Sequence, residues 1–203
     1  MAYFPFFMDL RGQKGLIAGG GRVALKRVQS LLPYGPSLTV CAPNIVPEIS
    51  DVPEIALLYQ SFVPELLDGM DFVVAATNHR QLNESISKLC KERHILVNVA
   101  DDQRLCTFIF PALVKRGEMT IGISTGGYSP TAAIYWKKMI ESQLPQTFGC
   151  QLDYLSGLRA RLKEAVPDES RRIVLFSQLL SACLANDGPL TPEIEEKILQ
   201  QER

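Results

Sequence analysis

The chain has 203 residues, 46% of them hydrophobic and 21% charged, the proportions of an ordinary globular protein. Its 21 basic and 22 acidic residues nearly cancel, which leaves no global positive field for nucleic acid. No apolar run approaches the ~18 residues that cross a bilayer, and the apolar start of the chain lacks the basic leader of a signal peptide, so a cytoplasmic protein that binds neither membrane nor nucleic acid is expected.

In chain order, "KGLIA" (14–18) reads as a short buried strand. Ala24, Val28, Leu31 and Leu32 then recur at helical spacing until Pro33 and Gly35 stop the pattern. "SLTVCAP" (37–43), "IALLYQ" (55–60) and "DFVVAAT" (71–77) read as three more strands, the last nearly all apolar, as a strand covered on both faces should be. Residues 80–92 carry Leu82, Ile86 and Leu89 on one helical face, and "ILVNVAD" (95–101) is a fifth strand. Strands alternating with helices predict a parallel, doubly wound α/β sheet of Rossmann type. "TFIFPALVKRGEMTIGIST" (107–125) reads instead as two strands joined by a turn at Lys115 to Glu118. A helix follows, with Ser129 as N-cap, Pro130 in its first turn and Pro145 at its end. The remainder reads as three helices, 149–164, 169–185 and 192–202.

Five cysteines, odd in number and never spaced as C-x-x-C, are expected to be reduced and mostly buried. The only histidines are His79 and His94, and neither has a neighbour at ligand spacing, which argues against zinc.

The chemistry starts at Gly19-x-Gly21-x-x-Ala24, between the first strand and the first helix. Gly19 permits a tight turn, Gly21 lets backbone approach a diphosphate, and Ala24 allows close helix–strand packing, while the helix N-terminus offers N–H groups to the phosphates. The acid expected on a ribose, about 20 residues on, is missing. Cys41-Ala42-Pro43-Asn44 stands there, with neither Asp or Glu nor a base for a 2′-phosphate. Pro43 and Asn44 are candidates for the ribose, Arg22 for a phosphate, and Thr77 is a further cofactor candidate at the end of the fourth strand. NADP stays open beside NAD.

Asp101 and Asp102 close the fifth strand, on the sheet edge where α/β proteins bind ligands. A carboxylate there suits proton transfer beside a nicotinamide, and it equally suits capping the next turn. Ser124, Thr125, Gly126 and Gly127 form a second glycine loop leading into a helix, suited to a substrate anion or simply to helix entry. His79, after the fourth strand, is a weaker substrate candidate.

Together "FPFFMDLRGQKGLIAGGGRVALKRVQSLL", "VAATNHRQLN", "VNVADDQRLCTFIFPALVKRG" and "IGISTGGYSP" resemble the precorrin-2 dehydrogenase family, found alone or as the N-terminal module of siroheme synthase. The similarity covers roughly residues 3–145. It implies NAD-dependent oxidation of precorrin-2 to sirohydrochlorin in siroheme biosynthesis and, in many members, insertion of ferrous iron. It also implies a homodimer built from an NAD-binding domain (1–112), a hairpin-and-helix dimerisation region (113–147) and an all-helical C-terminal domain (148–203). By the same resemblance Asp101 is the catalytic carboxylate, Arg22, Val23, Pro43 and Asn44 contact NAD, and Thr125 falls where some members carry a phosphorylated serine. Asn78 and His79 stand where many relatives have acidic residues, so a metal site and iron insertion stay open. Two other readings remain: an NAD(H)-sensing regulatory module, and a chelatase with a vestigial cofactor site.

Overall fold

A computed structural model describes residues 3–201 and divides them into two compact units, Phe4–Phe110 and Pro111 onward with Tyr3. In the first unit, strands β1 (Lys14–Ala18), β2 (Ser37–Cys41) and β3 (Ile55–Leu58) precede β4 (Phe72–Ala75) and β5 (Leu96–Val99). All pair in parallel, in the order β3-β2-β1-β4-β5. The connecting helices are α1 (Arg22–Leu31), α2 (Pro47–Ser50) and α3 (Arg80–Glu92).

Alternate residues of each strand enter opposite cores, which is why β4 is apolar at every position. Ile17, Val40 and Val74 meet Ala24 and Val28 of α1, whereas Leu16, Val73 and Val97 meet Ile86 and Cys90 of α3. The strand order reverses between β1 and β4, and this places a topological switch point at the carboxyl edge of the sheet. The short helix α2 and the 3-10 turns at Leu32–Tyr34, Pro64–Leu67 and Gln103–Leu105 carry no sequence period and were not expected.

The expected strand from residue 107 starts later. Thr107–Phe110 runs irregularly beside β5, with the Thr107 amide donating to the Val97 carbonyl (2.8 Å) and the Asn98 side-chain amide donating to the Phe108 carbonyl (3.0 Å). Pro111 brings no N–H to a ladder, so regular pairing waits for Ala112.

In the second unit, β6 (Ala112–Arg116) and β7 (Met119–Ile123) form an antiparallel hairpin followed by α4 (Pro130–Gln143). At its tip Gly117 adopts φ +55°, and a Cβ there would come within 2.7 Å of Gly149 Cα. Helices α5 (Phe148–Ala165), α6 (Glu169–Ala185) and α7 (Pro192–Gln201) bury Leu158, Leu162, Leu175, Leu179 and Cys183. The expected end of the last helix at 202 lies outside the described residues. All five cysteines are free, and no helix among the described residues is long and apolar enough to cross a membrane.

Candidate functional site

The carboxyl edge of the parallel sheet gathers the residues with chemistry. The ladder runs one residue past the strands, with the Gly19 amide on the Cys41 carbonyl (2.9 Å), the Ala76 amide on Ala18 (2.8 Å) and the Ala100 amide on Ala75 (3.0 Å). Gly19, Ala76–Thr77 and Ala100–Asp101 therefore end neighbouring strands on one edge.

Two of the three glycines are fixed by what surrounds them. Gly19 sits at φ +129°, and a side chain there would run into the Ala76 carbonyl of the β4 end. A Cβ on Gly20 would strike the Asn44 carbonyl and approach Ile45 Cα to 2.8 Å, because the Gly20 carbonyl accepts from the Val46 amide (2.9 Å). The motif reading assigned roles only to the first and third glycines and missed this contact.

Gly21 is different. No atom lies within 4 Å of where its Cβ would be. It caps α1 with extended backbone and no side-chain acceptor, and the first turn contains no acid. The amides of Arg22 and Val23 thus begin a helix whose positive end faces open space. That open cradle fits the diphosphate of a dinucleotide. Arg22 and Val23 are exposed beside it, as are Pro43 and Asn44 past β2. No acid occupies the β2 end, as its sequence dictates; the Cys41 thiol there donates to the Gln60 carbonyl (3.2 Å).

Thr77 is held rather than free. Its hydroxyl donates to Asn83 Oδ1 (2.7 Å) and accepts from the His79 amide (3.1 Å). Asn83 Oδ1 also accepts from the Thr77 amide (3.3 Å), and its Nδ2 donates to the Thr77 carbonyl (3.0 Å). Asn83 lies on α3 and is only 4% exposed. It anchors the β4 end to the helix, a role hidden in the sequence because Asn83 falls within the apolar stripe between Leu82 and Ile86. His79 is exposed at the start of α3, and its ring caps nothing.

The two aspartates after β5 have separate fates. Asp102 caps the following turn: its Oδ1 accepts from the Arg104 amide (3.1 Å) and Nε (2.9 Å), and Oδ2 from Arg104 Nη2 (2.7 Å). Arg80 stands 4.0 Å away. The hydrogen bonds from Arg104 pull the Asp102 carboxyl down from 3.8 to about 2. Asp101 is exposed and, among the described residues, makes no side-chain hydrogen bond or ion pair. The turn-capping role thus falls to Asp102, and the free carboxylate on the edge is Asp101.

Beneath them, on the α1 face of β5, Asn98 is 5% exposed with an Oδ1 that finds no protein partner. The Cys106 thiol nearby donates to the Val99 carbonyl (3.3 Å), and burial pushes its pKa up, away from a reactive thiolate.

In the second unit the glycine loop closes on itself. Thr125 Oγ1 donates to the Ser129 carbonyl (3.0 Å) and accepts from its amide (3.1 Å), while Ser124 Oγ accepts from the Gly126 amide (3.1 Å). Gly126 and Gly127 take φ +62° and +88°, and Ser129 caps α4 through the Ala132 amide (3.1 Å). Both hydroxyls of the expected anion site are thus engaged within the loop itself. Among the described residues no group of three or more His, Cys, Asp or Glu side chains is placed to hold a metal ion.

Comparison with known proteins bears on this site. Residues 6–112 match the family described as "Putative NAD(P)-binding". Siroheme synthase of Zymomonas mobilis is 37% identical over 92% of this chain and 40% of its own length. Siroheme synthase 1 of Pectobacterium atrosepticum is 33% identical over 100% of this chain and 44% of its own. The chain thus spans about two-fifths of these relatives. Among solved structures, SirC, a precorrin-2 dehydrogenase, superposes with a TM-score of 0.77 at 25% identity, covering 98% of both chains.

Proposed function

The chain belongs to the NAD(P)-binding family whose pattern fills its first half, and on that premise we propose that it oxidises precorrin-2 to sirohydrochlorin with NAD. One observation carries the reading: a single edge of one sheet holds both an open phosphate cradle at Gly21 and the unengaged carboxylate of Asp101. The likeness to SirC along nearly the whole of both chains supports the same substrate.

NAD, when bound, supplies the hydride acceptor at its nicotinamide. The chain's residues do the rest. The amides after Gly21 hold the diphosphate. Arg22, Val23, Pro43, Asn44 and Thr77 line the path of the dinucleotide. Asp101 takes the proton that leaves the macrocycle as the hydride departs, so that two electrons and two protons are removed, one proton with the hydride. Asp102, engaged by Arg104, keeps the turn after β5 in place and leaves its neighbour available. Fixing the reacting carbon, the acceptor and the carboxylate in one geometry supplies much of the rate.

The reading extends to organisation. Residues 113–147 pair with a second copy, as the exposed Ile134, Tyr135, Trp136 and Met139 on α4 suggest, and 148–203 form a helical domain. Ser124, Thr125, Gly126, Gly127 and His79 are the weaker substrate contacts. Five free cysteines suit a reducing cytoplasm. The test is anaerobic incubation with precorrin-2 and NAD. The tetrapyrrole spectrum of sirohydrochlorin should rise together with NADH, and binding of NADH without turnover of the tetrapyrrole refutes the enzyme in favour of a sensor. Light scattering at micromolar concentration tests the dimer, and a monomer mass refutes it.

A further inference from the structure

The Phe4–Phe110 unit has six arginines, at positions 11, 22, 27, 80, 93 and 104. Four are paired with acids: Arg11 with Asp9, Arg80 with Glu84, Arg93 with Asp68, and Arg104 with Asp102. Arg22 is exposed, where water solvates it. Arg27 is the exception. It is half-buried on α1, its Nε finds no hydrogen-bond partner, and among the described residues it makes no ion pair. Its guanidinium lies 4.2 Å from the centre of the Phe110 ring. Loss of water weakens its hold on its proton, and among the described residues no carboxylate restores it.

A cation taken partly from water without an anion is costly, and a ring face offsets only part of that cost. Such a group is an unfilled receptor for an acid. Its position says which one. Phe110 stacks obliquely on Phe108, whose carbonyl is bonded to Asn98, three residues before Asp101. Arg27 therefore lies toward β5 at the level of Asn98, three residues of strand or roughly 10 Å below Asp101, so a ligand carboxylate reaching it would come from an arm of the macrocycle and not from its reacting edge. It is not turned to the diphosphate: it stands six positions past Gly21, roughly 9 Å along the helix. A planar, forked cation suits a carboxylate. We infer that Arg27 binds a carboxylate of the tetrapyrrole and so fixes which edge of the macrocycle is presented beside Asp101. This rests on the proposed oxidation of precorrin-2.

The test uses Arg27→Met, which keeps an alkyl stem against Phe110, and Arg27→Lys, which keeps the charge without the fork. Steady-state oxidation of precorrin-2 at saturating NAD is measured beside the parent protein, with direct titration of sirohydrochlorin and of NAD. In Arg27→Met the KM for precorrin-2 and the Kd for sirohydrochlorin should rise about ten- to a hundredfold, the usual scale for a charge-assisted hydrogen bond. The kcat and the Kd for NAD should stay within about twofold, the signature of lost uniform binding. Arg27→Lys should recover part of the affinity, and methyl esterification of sirohydrochlorin should erase the difference between parent and Arg27→Met. Unchanged tetrapyrrole affinity with only a lower Tm makes Arg27 a strut for Phe110 and overturns the inference. A fall in NAD affinity alone overturns it too. If the parent protein itself leaves precorrin-2 unoxidised, the functional reading fails and takes this inference with it, a result distinct from a silent Arg27 variant.

Discussion

Replacing Asn83 by leucine should loosen the cofactor edge from a position that touches no ligand. The side chain is 4% exposed and makes three hydrogen bonds to Thr77, at 2.7, 3.0 and 3.3 Å. Leucine keeps most of the volume and removes all three bonds. Each is worth about 1 kcal/mol net, and Thr77 is partly exposed, so water recovers some of the loss. The expected destabilisation is ~2 kcal/mol by urea denaturation, with an unchanged m-value. The Thr77 carbonyl and amide then lose their fixed direction beside Gly19, whose missing Cβ lets the Ala76 carbonyl approach. Affinity for NAD should fall about tenfold, the equivalent of ~1.4 kcal/mol. Thr77→Val removes the hydroxyl alone, and the double variant should show a coupling of ~1 kcal/mol with Asn83→Leu. An Asn83→Leu protein within ~0.5 kcal/mol of the parent, or strict additivity with Thr77→Val, refutes the clamp.

Three further outcomes follow from the same edge. Asp101→Ala should lower kcat for precorrin-2 by ~10²-fold or more while leaving NAD affinity unchanged, and full turnover would remove Asp101 from the mechanism. Gly20→Ala forces a methyl group into the Asn44 carbonyl, so it should both lower Tm and weaken NAD binding; a folded variant with parental affinity would show that the β2 loop yields freely. The Asp102 carboxyl is lowered from 3.8 to about 2 in the folded protein, so its contribution is fully present above the unfolded value and is lost as pH falls from about 4 toward 2. Asp102→Asn should therefore flatten that part of the acid-unfolding profile, and an unaltered profile would place the acid sensitivity elsewhere.

The α/β half was legible because its signals are redundant. Strands buried on both faces at 14–18 and 71–77 and a helix with one apolar stripe at 80–92 agree with one another, and glycines flank the first strand. The helices after residue 148 were equally readable, with Pro167 and the turn at 186–189 separating them. What escaped depends on contacts far along the chain. Gly20 is needed because of Asn44, and Gly117 because of Gly149. Helix α2 spans four residues, too few for a period. Asn83 reads as a neutral helix residue until its partner Thr77 is seen, and a polar side chain inside an apolar stripe was the signal available.

Asp101 and Asp102 show why residue type and position together still left the acid unassigned. They are adjacent, alike in charge, and end the same strand, so sequence physics gives each the same two uses. The backbone separates them. The chain turns into a 3-10 segment at Gln103, and a cap must precede such a turn, so Asp102 is drawn onto the Arg104 amide and then onto its guanidinium. A carboxylate so engaged, held near pKa 2, is a poor base. Its neighbour is left with water alone, with no protein partner to surrender before it meets substrate. An exchange variant follows from this reasoning. With Asp101→Asn the adjacent Asp102 should fail to take over, because Arg104 still holds it. Adding Arg104→Ala should then restore a few per cent of turnover, roughly the scale on which a displaced general base still works. No recovery in the double variant would mean that position, rather than engagement, decides which aspartate serves.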